Sequence, residues 1–120
     1  MDSRRQKKIG QLIQDEMGTF LQKEGANYYG RKFVTVTDAQ VTPDLQVCRI
    51  YVSVLDKNEG EKVVDSLNLH VRDIRKRFGQ IMRQTLRIIP ELEFYLDNTL
   101  ENVFRLEEIF REQKKNEADQ

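Results

Sequence analysis

Residues 71–89 carry a row of cations whose spacing suits the binding of phosphate groups. On an ideal helix, at about 100° per residue, five of the six Lys/Arg side chains in this stretch fall within roughly a third of the helix surface. They are Arg72, Arg75, Lys76, Arg83 and Arg87. The apolar residues of the stretch fall mostly on the opposite side, so one side can pack on a sheet while the other presents positive charge.

A basic row on a helix is most often a solvated surface, but two features favour a functional role here. The stretch holds a single acid, Asp73, so its cations lack acidic partners one turn away. Gly79 falls in the middle of the row, where glycine costs a helix about 1 kcal/mol relative to alanine. Gly79 either kinks the helix or lets the backbone of a ligand come close, and both interpretations stay open.

Two other segments add cations to the first third of the chain. Residues 3–23 read as an amphipathic helix with a basic start, which is either a binding arm or a solvated helix end. Its cations are Arg4, Arg5, Lys7 and Lys8. Residues 25–32 are predicted to form a loop with two tyrosines beside two cations, which could stack on bases; the favoured alternative is that the tyrosines cover the edge of the core. These residues are Tyr28, Tyr29, Arg31 and Lys32.

The motifs of nucleotide, redox and metal chemistry are missing from the sequence. There is no P-loop, no G-x-G-x-x-G and no C-x-x-C. Cys48 lies in an apolar run and is predicted to be buried, while His70 is expected to be structural or solvent-facing. The adjacent acids Glu107 and Glu108 belong to a charged helix. We therefore expect no catalytic site, no metal and no cofactor, and an enzyme is the least favoured class.

The 120 residues suffice for one domain, and their charges are unevenly distributed. The net charge is zero overall, but it is +3 over residues 1–32, −3 over 33–70, +5 over 71–89 and −5 over 90–120. Such a charge dipole can orient a protein on a polyanion although the total charge is nil. The single cysteine, the polar N-terminus and the lack of any run of about 18 apolar residues predict a cytoplasmic location without membrane contact.

Two strands are predicted in the first half of the chain. Residues 33–41 and 46–55 are rich in Val, Thr, Ile and Tyr. Residues 42–45 place a proline where a turn favours it, so the two strands should pair as a hairpin. The second strand is the more continuously apolar and is predicted to be central in the sheet.

A long helix, a third strand and a last helix are predicted in the second half. The long helix should span about residues 61–86, and the strand should begin after Pro90. The core-facing side chains of the helix are expected to include Ile74, Phe78 and Ile81. A last helix should start at Asn98, and residues 111–120 lose all periodicity and are expected to be a mobile tail. This order predicts a single α+β domain with a three-stranded sheet and helices on one face.

Two runs of the sequence resemble those of a known protein family. V-T-V-T-D-A-Q-V-T-P-D-L-Q-V-C-R-I-Y-V-S-V-L and L-R-I-I-P-E-L-E-F-Y-L-D-N-T-L, in this element order, resemble the ribosome-binding factor A family over about residues 4–110. The resemblance implies a type II KH-like fold, with the second and third strands adjacent and parallel. It also implies binding to small-subunit ribosomal RNA near the decoding region, in the cytoplasm. Residues 1–110 would then be one KH-like RNA-binding domain.

The sequence departs from the family in its long helix. Members typically carry an Ala-x-Gly kink, and the matching positions here are His70, Val71 and Arg72. The kink is therefore absent, or it has moved to Gly79. Like the family, the chain has no G-x-x-G, so recognition should depend on phosphates and RNA shape rather than on clamping a single strand with that loop.

The function expected from residues and resemblance together is that of a non-catalytic assembly factor. It would bind small-subunit (30S) ribosomal RNA and aid late maturation and RNA processing, as a monomer. The expected RNA-binding residues are Arg4, Arg5, Lys7, Lys8, Arg31, Lys32, Arg72, Arg75, Lys76, Gly79, Arg83 and Arg87. The alternative is a protein-interaction module whose acidic C-terminal third docks on a basic ribosomal protein or an assembly GTPase.

Overall fold

The computed structural model describes residues 3–97, which fold into helices around a three-stranded sheet. The elements are α1 (Arg4–Glu24), α2 (Ala26–Tyr29), β1 (Val34–Val41), β2 (Val47–Val54), a 3-10 turn (Lys57–Glu59), α3 (Gly60–Leu69), α4 (Val71–Met82) and β3 (Glu91–Leu96). The helix predicted from Asn98 and the tail predicted at 111–120 lie outside the described residues.

β2 is the central strand of the sheet, as its continuously apolar sequence predicts. It pairs antiparallel with β1 and parallel with β3, which gives the strand order β1-β2-β3. The predicted turn closes through a hydrogen bond of 2.8 Å from the Leu45 N–H to the Thr42 carbonyl. The α+β class and the parallel pairing of the second and third strands are therefore confirmed.

The core lies on one face of this sheet. Cys48, Ile50 and Val52 alternate along β2 and are fully buried. Side chains from α1 and α4 pack with them: Ile13, Met17, Phe20, Ile74, Phe78 and Met82. Burial, with a smaller effect of nearby Asp38, raises the pKa of the Cys48 thiol to about 12. Cys48 is thus the buried hydrophobic residue that the sequence predicts.

The opposite face of the sheet is polar. The rings of Tyr51 and Tyr95, which pair across β2 and β3, stack with their centroids 5.6 Å apart. Arg49 and Glu93, the preceding pair on the same strands, form an ion pair with 3.8 Å between Nε and Oε1.

Side chains of helix α1 donate hydrogen bonds to backbone carbonyls at the outer edge of β1. The helix starts at a capping box between Ser3 and Gln6. The Gln6 amide also donates to the Val41 carbonyl at 3.0 Å, and the Gln14 amide donates to the Thr37 carbonyl at 3.2 Å. Backbone acceptors that no strand covers are thereby paired.

Between these two glutamines, Gly10 brings the helix backbone onto the strand. A Cβ atom at Gly10 would lie 2.7 Å from the Ala39 carbonyl oxygen, closer than real Cβ contacts. Four helix residues advance about 6.0 Å and two strand residues about 6.6 Å. Positions four apart on α1 therefore meet carbonyls two apart on β1, and Gly10 fixes the distance between them.

The outer edge of β3 is covered in a similar way from the other side. The Asn68 side chain, at the end of α3, accepts a hydrogen bond from the Phe94 N–H and donates one to the Phe94 carbonyl, both at 2.9 Å. One amide side chain thus replaces a residue of a neighbouring strand at the middle of β3.

The prediction of one helix over residues 61–86 is wrong, because the helix breaks at His70 and ends at Met82. His70 leaves the helical conformation at φ −100° and ψ 15°, and its side chain is exposed. The break falls where the family carries its kink. Gly79 lies inside the continuous helix α4, so the interpretation of Gly79 as a kink is also wrong.

Ile81 does not face the core as predicted; its side chain is 55% exposed. The buried stripe of α4 runs through Ile74, Phe78 and Met82. Steps of four residues rotate such a stripe by about 40° each, so in the last turn Ile81 lies about 100° away from Met82. Ile74 and Phe78 are buried as predicted.

The loop predicted at residues 25–32 contains the short helix α2, which packs against the junction of α3 and α4. Tyr28 is buried, its hydroxyl donates to Asp73 at 2.7 Å, and its carbonyl accepts from the Ser66 hydroxyl. Burial, followed by the bond to Asp73, raises the pKa of Tyr28 to about 12. The Tyr29 hydroxyl donates to the Leu21 carbonyl at 3.3 Å. Both tyrosines therefore cover the edge of the core.

Two glycines of α1 form a matched pair for testing the close approach to β1. Gly10→Ala and Gly18→Ala gain the same helix propensity, but only the first adds a methyl group against a backbone oxygen, since nothing lies within 4 Å of a Cβ at Gly18. We expect Gly18→Ala to stabilise the fold by up to about 1 kcal/mol. Gly10→Ala should lower the free energy of unfolding by about 1–3 kcal/mol. Urea denaturation of both variants measures the difference; equal stabilisation would show that α1 is free to shift.

Candidate nucleic-acid interface

The cations of the predicted row differ in whether they form ion pairs or hydrogen bonds with other groups of the protein. Within residues 3–97, no ion pair involves Arg72, Lys76, Arg83 or Arg87, and all four are exposed. Their charge is available to a ligand. Arg77, which the sequence places outside the row, instead pairs with Asp73 at 3.3 Å and with Glu24 at 3.4 Å. Asp73 lies one turn before Arg77, so the expectation that the cations of this stretch lack acidic partners is wrong for Arg77.

Arg75 has an internal role that the sequence does not predict. Its Nε donates to the Pro90 carbonyl at 3.1 Å, and its Nη2 donates to the Ile89 carbonyl at 2.6 Å. These bonds hold the segment 83–90, which we call the connector, against α4. Arg75 therefore positions the neighbouring cations of the connector, Arg83 and Arg87, and its own charge is partly committed to backbone oxygens.

Gly79 forms the floor of a shallow cavity of about 280 Å³ on α4. Arg75, Lys76 and Arg83 line the cavity, and Ile89 of the connector closes one side. A Cβ atom at Gly79 would lie 3.5 Å from the Ile89 Cγ1, an ordinary contact, so the protein itself does not require glycine here. The second interpretation of Gly79, close approach by a ligand, is compatible with this geometry.

The connector carries the row onward to helix α1. The sequence predicts that Arg87 lies on the long helix. In the structure it lies past the end of α4, beside Arg5 and Lys8. These three cations border a groove of about 630 Å³ with Ile9, Leu12 and Leu86 among its lining side chains. The structure thus joins two basic segments that lie far apart in sequence. We call this surface the basic belt: Arg5, Lys8, Arg72, Lys76, Arg83 and Arg87.

The remaining predicted residues lie away from the belt or on its border. Arg4 and Lys7 are exposed on the first turn of α1, and Lys7 lines a groove along the edge of β1. Arg31 and Lys32 lie beyond the other end of α1, about 30 Å along a helix of 21 residues. Lys32 pairs with Glu59 at 2.9 Å, and this bond lowers the pKa of Glu59.

The side chains of this arrangement can bind phosphates. Over residues 3–97 there is no group of three or more His, Cys, Asp or Glu able to hold a metal ion. No helix in the same range is long and apolar enough to cross a membrane. The belt is a surface of exposed guanidinium and ammonium groups, suited to a polyanion.

The fold and this surface together define a class, the small KH-like α+β domain. A family model described as ribosome-binding factor A matches residues 5–110. The chain therefore belongs to the ribosome-binding factor A family.

Relatives and solved structures agree with this membership. The chain is 36% identical to ribosome-binding factor A of Chlorobium luteolum over 118 residues, 98% of each chain, and 31% identical to that of Cytophaga hutchinsonii over 109 residues, 91% of this chain and 82% of the relative. In fold it is similar to the crystal structure of the Thermus thermophilus factor, with a TM-score of 0.61 and 18% identity over 76% of this chain and 94% of that one. Thermus thermophilus coordinates fitted into a cryo-EM map of a 30S complex with the factor give a TM-score of 0.55 and 24% identity, over 72% and 92% of the two chains.

Arg75 and Arg72 offer a test of the connector. Arg75→Ala removes two charge-assisted bonds to carbonyls and should lower the free energy of unfolding by about 1–3 kcal/mol. Arg72→Ala, on the same helix and without a partner in residues 3–97, should change it by less than about 0.5 kcal/mol. Chemical denaturation measures both, and equal effects would show that the connector does not depend on Arg75.

Gly79→Ala separates the stability of α4 from its binding. The added methyl group fits beside Ile89, so we expect the helix to gain up to about 1 kcal/mol. The same methyl group occupies the floor of the cavity, so RNA binding should weaken while the circular dichroism spectrum stays native. Unchanged RNA affinity in a stabilised variant would remove Gly79 from the interface.

Proposed function

We propose that this chain is a non-catalytic factor that binds ribosomal RNA of the small subunit and aids its late maturation and processing. The observation that carries the proposal is the basic belt, in which cations from α1, α4 and the connector lie exposed and without ion-pair partners in residues 3–97. Family membership supports it, as does the relative whose coordinates were fitted into a 30S complex.

The belt acts by neutralising phosphates. Each cation that meets a phosphate releases counterions, which supplies affinity without reading the base sequence. The protein then stabilises one RNA arrangement by mass action until processing is complete, and no covalent step is needed. The junction at His70 lacks a G-x-x-G loop, which fits recognition of backbone and shape.

The proposal extends to the form in which the protein works. Residues 1–110 act as one KH-like domain, and the protein acts as a monomer in the cytoplasm. It binds free or immature small subunits and leaves completed ribosomes. An assembly GTPase is a further candidate partner in this process.

The alternative, docking through the acidic C-terminal third, finds less support in the part of that third that is described. Glu93 is engaged by Arg49 and by the Tyr95 hydroxyl, the latter at 2.9 Å. Asp97 accepts a hydrogen bond from the Thr37 hydroxyl at 2.6 Å. The carboxylates of Glu93 and Asp97 thus form contacts within the sheet, which makes them less available to a basic partner.

The test reverses two belt charges and, as a control, two charges elsewhere. Lys76→Glu with Arg83→Glu leaves Arg75 and the connector intact, and Lys23→Glu with Lys62→Glu makes the same change in net charge on exposed positions of α1 and α3. We expect the belt variant to bind purified small subunits at least roughly tenfold more weakly at low salt. Its log–log salt slope should be flatter by about two units, one for each lost contact.

The control variant should bind nearly as the parent does, with a parallel salt dependence. In cells, the belt variant should accumulate immature small-subunit RNA, most visibly in the cold, and the control should not. If the belt variant binds subunits as tightly as the parent, the belt is only a solvated surface, and the acidic-surface alternative takes its place.

A further inference from the structure

A cleft of about 540 Å³ lies along the second half of α1, and Asp15 separates it from the groove of the basic belt. It is bordered by the second half of α1, by α2 and by the residues that lead into β1. Its volume is in the range of sites that hold a small organic ligand. The lining combines the aromatic rings of Tyr29 and Phe33 with the cations Arg31 and Lys32.

Phe33 is the most unusual feature of this cleft. Its side chain is 69% exposed although it is a large apolar group beside the core. Its carbonyl accepts a hydrogen bond of 3.1 Å from the Leu55 N–H, so its backbone is fixed to the end of the sheet. An exposed aromatic ring on a held backbone is the kind of platform on which single-stranded nucleic acids stack their bases.

The two cations stand next to this ring along the chain. The Lys32 N–H donates to the Gly30 carbonyl at 3.0 Å, which makes Arg31 the middle residue of a tight turn. Arg31 is exposed and forms no ion pair within residues 3–97, while Lys32 is held at the border of the cleft by Glu59. One phosphate next to a stacked base would meet the free charge of Arg31 and the ammonium group of Lys32, which it would share with Glu59.

The wall formed by α1 is open to a flat ring. Gly18 lines the cleft, and no atom lies within 4 Å of the place where its Cβ would be. Gln22 and Asp15 border the same wall, and their amide and carboxylate groups are of the kind that bind base edges. Asp15 already accepts a bond of 3.0 Å from Gln11, which leaves Gln22 the freer of the two.

We propose that this cleft binds one unpaired nucleotide of an RNA, with the base stacked on Phe33 along the Gly18 wall and the phosphate on Arg31 and Lys32. The inference rests on the proposed function for the identity of the ligand as RNA. It adds a second kind of contact, because the belt neutralises phosphates of any RNA whereas the cleft requires a base free of its partner. The chain therefore binds RNA at two places on α1, where Arg5 of the belt and Gly18 of the cleft lie about 20 Å apart along the helix.

The first experiment uses the absence of tryptophan from the sequence. In Phe33→Trp, the indole is the single tryptophan and keeps a stacking surface. Titration with a mixed-sequence single-stranded RNA octamer should quench its fluorescence, whereas a blunt RNA duplex of the same length should not. Leu69→Trp, at an exposed position on α3 that does not line the cleft, is the control and should respond to neither.

The second experiment measures affinity for the same two RNAs. Phe33→Ala should weaken binding of the octamer by about five- to 150-fold, the range for loss of one stacked base. Gly18→Gln, which fills the cleft from a position with free space, should do the same. Leu55→Ala should not, and none of the three should alter duplex binding or the melting temperature by more than a few degrees.

The outcomes separate this inference from the proposed function. If Phe33→Ala and Gly18→Gln bind the octamer as the parent does, or if the parent does not bind it, the cleft is not a nucleotide site. That result leaves the belt untouched, because the Lys76→Glu with Arg83→Glu variant is judged on small subunits. Conversely, a belt variant that binds subunits normally removes the proposed function whatever the octamer shows.

Discussion

The contact on which the rest of this structure depends is that of helix α1 with the edge of β1. Gln6, Gly10 and Gln14 meet three successive outward carbonyls, two through amide donors and the middle one through the lack of a side chain. The contact sets both the distance and the register of the helix. Because α1 carries Arg5 and Lys8 near one end and the cleft near the other, this register decides where both candidate RNA contacts lie.

The break at His70 has a comparable role at the other edge of the sheet. Asn68 precedes the break and satisfies the middle of β3, while Arg75 follows it and satisfies the carbonyls just before that strand. Because α3 and α4 are separate helices, α3 brings Asn68 to the middle of β3 and α4 brings Arg75 to the carbonyls just before that strand. The connector that Arg75 holds then carries Arg87 back to α1, so the basic belt closes through a segment that is not helical at all.

The sequence predicts those parts of the structure that depend on the spacing of residues close together in the chain. The helix over residues 3–23, the central position of β2 and the burial of Cys48 each follow from a helical period or from an apolar run. Tyr28, which is remote in sequence, contacts Ser66 and Asp73 on either side of the break at His70, and a helical period cannot reveal such contacts. A helical wheel likewise gives Arg72 and Arg75 the same meaning, because it contains no information about the carbonyls of the connector. The sequence also does not indicate that the Phe33 side chain is exposed, since a phenylalanine at the start of a predicted strand is usually buried.

The depth of Cys48 has a consequence for the chemistry of the cell in which the protein works. Because burial raises the pKa of this thiol to about 12, the thiolate, which is the form that peroxides attack, is scarce at pH 7. The sulfur is also enclosed on all sides by the core. The fold thus keeps Cys48 out of reach of oxidants, and oxidative stress should leave the sheet unmodified at this position.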